Sequence, residues 1–192
     1  MYGLVVQTLA YTGLRFGELA ALQVSRMDLL RRRVEVAESV TEVNGRAVFG
    51  TPKSHQARSV PLPRFQVDDL AAQIAGQAPD SLVFSAPTGG VLRVGNFRRR
   101  HFDRAAREVG LDGLTPHELR HTAASLAVKS GATVKSVQRM LGHAFASMTL
   151  DVYTGLFDDD LDALADRLDA AYVPPLCPKA TVTDLEKRRT GS

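Results

Sequence analysis

The chain has 192 residues, of which 44% are hydrophobic and 23% charged, a balance typical of one soluble globular domain. Its single cysteine, Cys177, excludes an internal disulfide and a cysteine-rich metal site. No stretch is apolar over the length of a bilayer, and the N-terminus lacks the pattern of a secretory signal, so we expect a cytoplasmic location.

Charge is distributed unevenly along the chain. The formal net charge is +3, yet residues 158–172 hold six aspartates and one arginine, so that this segment carries −5 and the remainder +8. A basic body beside an acidic segment indicates an anionic partner for the body. A solvated surface of mixed charge explains the same numbers equally well.

Two helices and a small sheet are predicted in the first third of the chain. The apolar residues 2–11 predict a buried helix that ends at Thr12-Gly13, and residues 17–22 predict a second, short helix. Valine-rich alternation and the hairpin turn Asn44-Gly45 predict three antiparallel strands at residues 34–41, 46–49 and 58–62. Lys53 then lies in the loop between the second and third strands.

Helical patterns dominate the rest of the sequence. The segment from Thr115 to Glu118 combines a threonine cap, a proline at the first helical position and a glutamate that closes a capping box. Apolar spacing from residue 161 to residue 172 predicts a final amphipathic helix. The other predicted helices span residues 67–75, 96–109, 115–130, 133–141 and 147–154.

These elements predict the fold class and the domain limits. We expect a mainly helical α+β domain over residues 1–172, with a small three-stranded antiparallel sheet at one edge. The prolines after Val173 and the polar, basic end predict a flexible C-terminal tail over residues 173–192.

Three short segments carry side chains suited to phosphoryl chemistry: TGLRFGEL at residues 12–19, HELRH at residues 117–121, and LGH at residues 141–143 followed by Tyr153. Arg120 lies one helical turn after His117, so both lie on one face. Two guanidinium groups can each fork onto the oxygens of one phosphate, and a tyrosine hydroxyl can attack phosphorus. Taken singly, Arg15 is an ordinary surface arginine and Tyr153 an ordinary half-buried tyrosine.

These segments, in this order and at these separations, resemble the motif boxes of the tyrosine recombinases, the phage integrase family. The loop Thr51-Pro52-Lys53-Ser54 and the strand at residues 58–62 resemble the hairpin that carries the family's lysine. The resemblance covers residues 1–172. It implies a DNA breaking–rejoining enzyme for site-specific integration or excision, acting through a 3′-phosphotyrosyl intermediate without metal, ATP or other cofactor.

The resemblance also implies a role for each member of a catalytic set. Tyr153 is the nucleophile, and His117 takes its proton or holds a phosphate oxygen. The others act on the phosphate or the leaving group: Arg15 and Arg120 bind the phosphate, His143 donates a hydrogen bond to it, and Lys53 protonates the leaving 5′ oxygen. Taken alone, Lys53 is a solvated loop lysine. Glu18 either orients Arg15 or is an ordinary exposed glutamate, and His121 is expected to be structural.

Double-stranded DNA is the expected partner. Arg98, Arg99, Arg100 and Arg104 on the predicted helix at residues 96–109 are candidates for contacts with the DNA backbone. The resemblance implies a homotetramer on DNA, with a monomer possible in its absence. Family members usually carry an N-terminal core-binding domain, which we expect to be absent because the first motif lies close to residue 1, and weak DNA binding with steep salt dependence would follow.

Two alternatives compete with this hypothesis. The HELRH segment also matches the zinc protease pattern, in which two histidines at i and i+4 bind the metal. However, Pro116 places His117 in the first helical turn, where Glu118 is expected to serve the cap. The second alternative is a non-catalytic DNA-binding or assembly remnant of a truncated integrase.

Overall fold

Helices make up most of the regular secondary structure in the described part of the chain. The computed structural model describes residues 1–52 and 57–142. Within these ranges the helices are α1 Tyr2–Thr12, α2 Phe16–Ala20, α3 Val67–Ile74, α4 Val94–Phe97, α5 Asp103–Glu108, α6 Glu118–Lys129 and α7 Val134–Leu141. The strands are β1 Met27–Asp28, β2 Arg33–Val36, β3 Ser39–Val43, β4 Arg46–Gly50 and β5 Arg58–Pro61. The predicted mainly helical α+β class with a small antiparallel sheet is confirmed.

The predicted helices within the described ranges are confirmed, but α6 begins at Glu118 and not at Thr115, because residues 115–117 form a turn ahead of it. One further feature was unexpected. The helix predicted at residues 96–109 consists of α4 and α5 joined by a π-helical turn at Arg98–Phe102. Such turns are rare and interrupt the ordinary helical spacing of side chains. The helices predicted at residues 147–154 and 161–172, and the tail boundary at residue 173, lie outside the described residues. No helix in the described ranges is long and apolar enough to cross a membrane.

The strands group differently from the prediction. The single strand predicted at residues 34–41 is interrupted at Ala37 and Glu38. Its first half, β2, pairs with β1 and β5 in a three-stranded antiparallel sheet, whereas β3 pairs with β4 in a separate hairpin. A continuous strand would place Glu38 on the same face as the buried Val36 and Val40. The break avoids burying that carboxylate without a partner.

The core lies where α1, α6 and α7 meet. α1 packs against α6, and α7 packs against β5. Leu9, Ala124 and Leu141 are completely buried there. Gly13 ends α1 with φ 65°, and a Cβ on it would lie 2.6 Å from Leu141 Cδ2. Glycine therefore permits both the turn and the close approach that brings the segment after α1 next to the end of α7.

Gly17 allows α2 to pack closely against β3, and substituting it tests how much that packing contributes to stability. A Cβ on Gly17 would lie 2.4 Å from the main-chain oxygen of Val40, which cannot move without shifting the strand. We expect Gly17→Ala to destabilise the domain by about 1–3 kcal/mol in urea unfolding. Gly3→Ala, in open space on α1, is the control and should be neutral or slightly stabilising. Equal stability of the two variants would contradict this packing.

Candidate active site

The fold brings together three members of the predicted catalytic set. Arg15 is the N-cap of α2, His117 is the N-cap of α6, and Arg120 lies in the first turn of α6. Arg15 and His117 line one groove of about 310 Å³ together with Arg98. Lys53, His143 and Tyr153 lie outside the described residues, and their predicted roles stay predictions.

Electrostatics at His117 reflect this convergence. Partial burial lowers the pKa of the His117 imidazole below its ordinary value. The positive charges of His121, Arg120 and Arg15 lower that pKa further, and the carboxylate of Glu118 opposes them. His117 is therefore mainly neutral at physiological pH and can accept a proton.

Arg120 is buried and joins two helix ends. Its Nη1 donates a hydrogen bond to the main-chain oxygen of Gly13, and its Nη2 donates to that of Leu141. These carbonyls belong to the C-terminal ends of α1 and α7, where helices lack internal partners and carry partial negative charge. One guanidinium group therefore satisfies both helix ends and places a fixed positive charge behind Arg15 and His117.

A buried carboxylate holds Arg15. Glu18 is only 2% exposed, and its carboxylate accepts hydrogen bonds from the Arg15 main-chain N–H at 2.8 Å and from Arg15 Nη1 at 3.1 Å. The interpretation that Glu18 orients Arg15 is therefore supported, and the alternative of an exposed glutamate is wrong. The Arg15 side chain stays 25% exposed, so its remaining donors can reach the groove.

Sequence reasoning missed Arg58. Its Nη1 and Nη2 donate to the two carboxylate oxygens of Glu18 at 2.9 and 2.6 Å, and its side chain is 8% exposed. The alternating strand pattern contained a signal, because Arg58 lies on the same face of β5 as the buried Val60. A charged residue on a buried strand face requires a buried partner of opposite charge.

The Glu18 network predicts a pH dependence of stability. Burial alone would raise the pKa of Glu18, but the hydrogen bonds and charges of Arg58 and Arg15 lower it below its ordinary value. A depressed carboxyl pKa stabilises the folded state fully above the unfolded pKa of about 4.3, and this contribution is lost as the pH falls through the folded pKa. Urea unfolding should show Glu18→Gln less stable than wild type by about 3–5 kcal/mol at neutral pH.

The difference between Glu18→Gln and wild type should shrink as the solution is acidified. The matched control is Glu35→Gln, which breaks a half-exposed ion pair with Arg26. That variant should lose at most about 1 kcal/mol at neutral pH. A Glu18→Gln deficit that stays constant down to the acid transition would contradict the assigned network.

Glu118 bonds to Thr115 as the predicted capping box requires, but the N-cap of α6 is His117 and not Thr115. The Glu118 carboxylate accepts a hydrogen bond from the Thr115 main-chain N–H at 2.6 Å, and this bond lowers the Glu118 pKa. The rings of His117 and His121 meet edge to face, with centroids 5.6 Å apart. Within residues 1–52 and 57–142, no three His, Cys, Asp or Glu side chains gather as a metal site would require. The contact with Thr115 engages the carboxylate that a zinc protease would use as its base.

The four arginines predicted to contact DNA lie in different surroundings. Arg98 lines the groove of Arg15 and His117, and its Nε donates to Asp103 at 3.0 Å. Arg99 donates to Asn96, whereas Arg100 and Arg104 line a second groove against α1 and α6. Of these four, Arg98 therefore lines the groove of the candidate site, and the DNA contacts of all four stay predictions.

Comparison with known sequences gives consistent matches. A sequence profile described as "Phage integrase family" matches residues 2–159. The tyrosine recombinase XerC of Corynebacterium efficiens is 30% identical over 154 residues, which are 78% of this chain and 44% of that protein. XerC of Chromohalobacter salexigens is 35% identical over 167 residues, covering 83% and 49% respectively. The chain thus spans about half the length of the curated relatives it matches.

Solved structures share the fold. The Tn1549 transposon integrase in complex with transposon right end DNA superposes with a TM-score of 0.71 at 23% identity, over 86% of this chain and 58% of that one. The XerA recombinase superposes with a TM-score of 0.65 at 25% identity, over 88% and 58%. The fold of this chain therefore has counterparts of known structure.

Proposed function

Because the chain belongs to the phage integrase family, we propose that it cleaves and rejoins double-stranded DNA at specific sites through a 3′-phosphotyrosyl intermediate. The observation that carries the proposal is that Arg15 and His117, which are far apart in sequence, line one groove, with the charge of the buried Arg120 acting on His117 from behind it. The relatives support the choice of substrate, since the transposon integrase of the same fold is bound to DNA.

The described side chains suit a phosphate that gains negative charge. Arg15 presents the exposed part of its guanidinium group to the groove while Glu18 fixes its orientation. Arg120 adds a second positive charge that the helix ends hold in place. Fixed donors of this kind stabilise a pentacoordinate transition state without reorganising, and removal of one such donor typically raises the barrier by about 2.7–4 kcal/mol.

The proposed reaction conserves the phosphodiester bond energy. The Tyr153 oxygen attacks phosphorus, and the bond between phosphorus and the 5′ oxygen breaks. His117 accepts the tyrosine proton, since its lowered pKa leaves the imidazole unprotonated and available as a base. Lys53 supplies a proton to the leaving 5′ oxygen, and His143 donates a hydrogen bond to the phosphate. Rejoining reverses these steps, so that no nucleotide cofactor is needed.

Assembly and accessory contacts belong to the same proposal. Recombination joins two duplexes and each duplex needs two cuts, so we expect a homotetramer on DNA. We expect Arg98 to contact the backbone beside the scissile phosphate, since it lines the same groove as Arg15. Arg99, Arg100 and Arg104 would contact more distant phosphates.

A pool of nicked duplexes with randomised sequence around the nick tests this function. After cleavage next to the nick, the short fragment diffuses away and the protein stays attached to DNA. We expect adducts that resist denaturing detergent, that form in the presence of chelator, and whose yield falls steeply as salt rises. Salt-dependent DNA binding without any adduct would favour the non-catalytic remnant and contradict the proposal.

A further inference from the structure

Arg58, at the start of β5, contacts two separate parts of the fold through one guanidinium group. Both Nη atoms donate to Glu18, and Nε donates to the main-chain oxygen of Met140 at 3.1 Å. Met140 lies in the last turn of α7. The side chain is almost fully buried, so these contacts are shielded from water.

Gly142 leaves the space that the Arg58 side chain occupies. It ends α7 with φ 66°, and a Cβ on Gly142 would lie 2.9 Å from Arg58 Cδ and 3.0 Å from Arg58 Nε. The residue after Gly142 in the sequence is His143. Arg58 therefore lies against the turn from which the chain continues to one of the predicted catalytic residues.

Glu18 accepts hydrogen bonds from two arginines, of which Arg15 lines the groove and Arg58 does not. Arg15 donates one guanidinium hydrogen bond to Glu18, while Arg58 donates one to each of its two carboxylate oxygens. If the two hydrogen bonds from Arg58 were lost, Arg15 would be the one cation, among the described residues, left to pair with the buried Glu18 carboxylate. Its guanidinium group would then be drawn towards Glu18 and away from the groove, because a buried charge pairs as fully as geometry allows.

We propose that Arg58 is a positioning residue that fixes the orientation of Arg15 through Glu18 and fixes the end of α7 through Met140. The proposal rests on the proposed function, since Arg15 and His143 act in the cleavage reaction. Arg58 itself does not line the groove of Arg15 and His117. It acts only through the groups that it holds.

Two full-length variants separate positioning from simple charge neutralisation. Arg58→Lys keeps the charge but cannot form the fork and the Nε contact together, because ammonium donors are not arranged in a plane. Gly142→Ala keeps Arg58 but pushes its side chain aside. The matched controls are Arg26→Lys, which alters a half-exposed ion pair, and Gly131→Ala, which has φ 80° at the end of α6 but open space around it.

The measurements are single-turnover adduct formation, DNA affinity, thermal unfolding and the pKa of His117 by NMR. We expect both Arg58→Lys and Gly142→Ala to form adduct about 10²-fold more slowly, as displaced catalytic groups typically do, with unchanged DNA affinity. The His117 pKa should rise as Arg15 moves away. The two controls should match wild type in rate and in pKa.

Several results would overturn the proposal. One is a wild-type adduct rate in folded Arg58→Lys and Gly142→Ala. Another is a reduced rate that is fully explained by the smaller fraction of folded protein measured by thermal unfolding. If wild-type protein forms no adduct at all, the proposed function fails on its own. In that case the His117 pKa still decides, because an unchanged value in both variants contradicts positioning and a raised value in both supports it.

Discussion

Arg120→Ala is expected to lose both stability and DNA cleavage. The substitution leaves the carbonyl groups of Gly13 and Leu141 without their guanidinium partner inside the core, at a typical cost of about 1–3 kcal/mol for each carbonyl. That is a large part of the 5–15 kcal/mol that usually holds a domain together. The loss of a fixed positive charge should slow cleavage by about 10²–10³-fold in the molecules that stay folded.

Urea unfolding and single-turnover adduct formation measure the two effects of Arg120→Ala separately. Lys129→Ala is the matched control, because Lys129 is an exposed basic residue in the last turn of the same helix. It should change stability by no more than about 0.5 kcal/mol. An Arg120→Ala protein as stable as this control would contradict the role of Arg120 at the two helix ends.

Arg15→Ala is expected to lose cleavage while keeping the fold. Glu18 retains both hydrogen bonds from Arg58, so the buried carboxylate stays paired when the Arg15 side chain is removed. The partly exposed pair between Arg15 and Glu18 should contribute only about 0–1 kcal/mol to stability. Removal of a donor to the transition state should nevertheless reduce the adduct rate by about 10²–10³-fold.

Comparing Arg15→Ala with Arg120→Ala tests whether Arg15 acts mainly in cleavage while Arg120 acts in both cleavage and stability. Adduct rates should be measured at saturating DNA, so that a change in affinity does not imitate a change in the chemical step. Wild-type rates for Arg15→Ala would exclude this arginine from the reaction. A stability loss as large as that of Arg120→Ala would show that Arg15 is mainly structural.

Local sequence patterns predicted most helices because each carries its own start or stop signal. Gly13 and Gly142 end α1 and α7 in the left-handed conformation, and Thr133 caps α7 by accepting a hydrogen bond from the Ser136 N–H. The strand break at Glu38 was not predicted, because alternation alone does not reveal which face is buried. The short strand β1 was missed since it has only two residues.

The site was predictable to the extent that it depends on residue type and order. Arg15, His117 and Arg120 meet as the motifs indicated, because α1 and α6 pack together. The shared use of Glu18 by Arg15 and Arg58 joins residues 40 positions apart, so no local pattern contains it. The π-helical turn at Arg98–Phe102 likewise has no sequence signature.

The most direct test of the account identifies the residue that becomes attached to DNA. Adducts from the nicked duplex pool are digested with protease and nuclease, and the modified peptide is sequenced by mass spectrometry. We expect a 3′-phosphate ester on Tyr153, loss of every adduct in Tyr153→Phe, and wild-type adduct yield in Tyr11→Phe, a residue of α1 that is 40% exposed. Attachment through any other residue, or adducts that persist in Tyr153→Phe, would contradict this expectation.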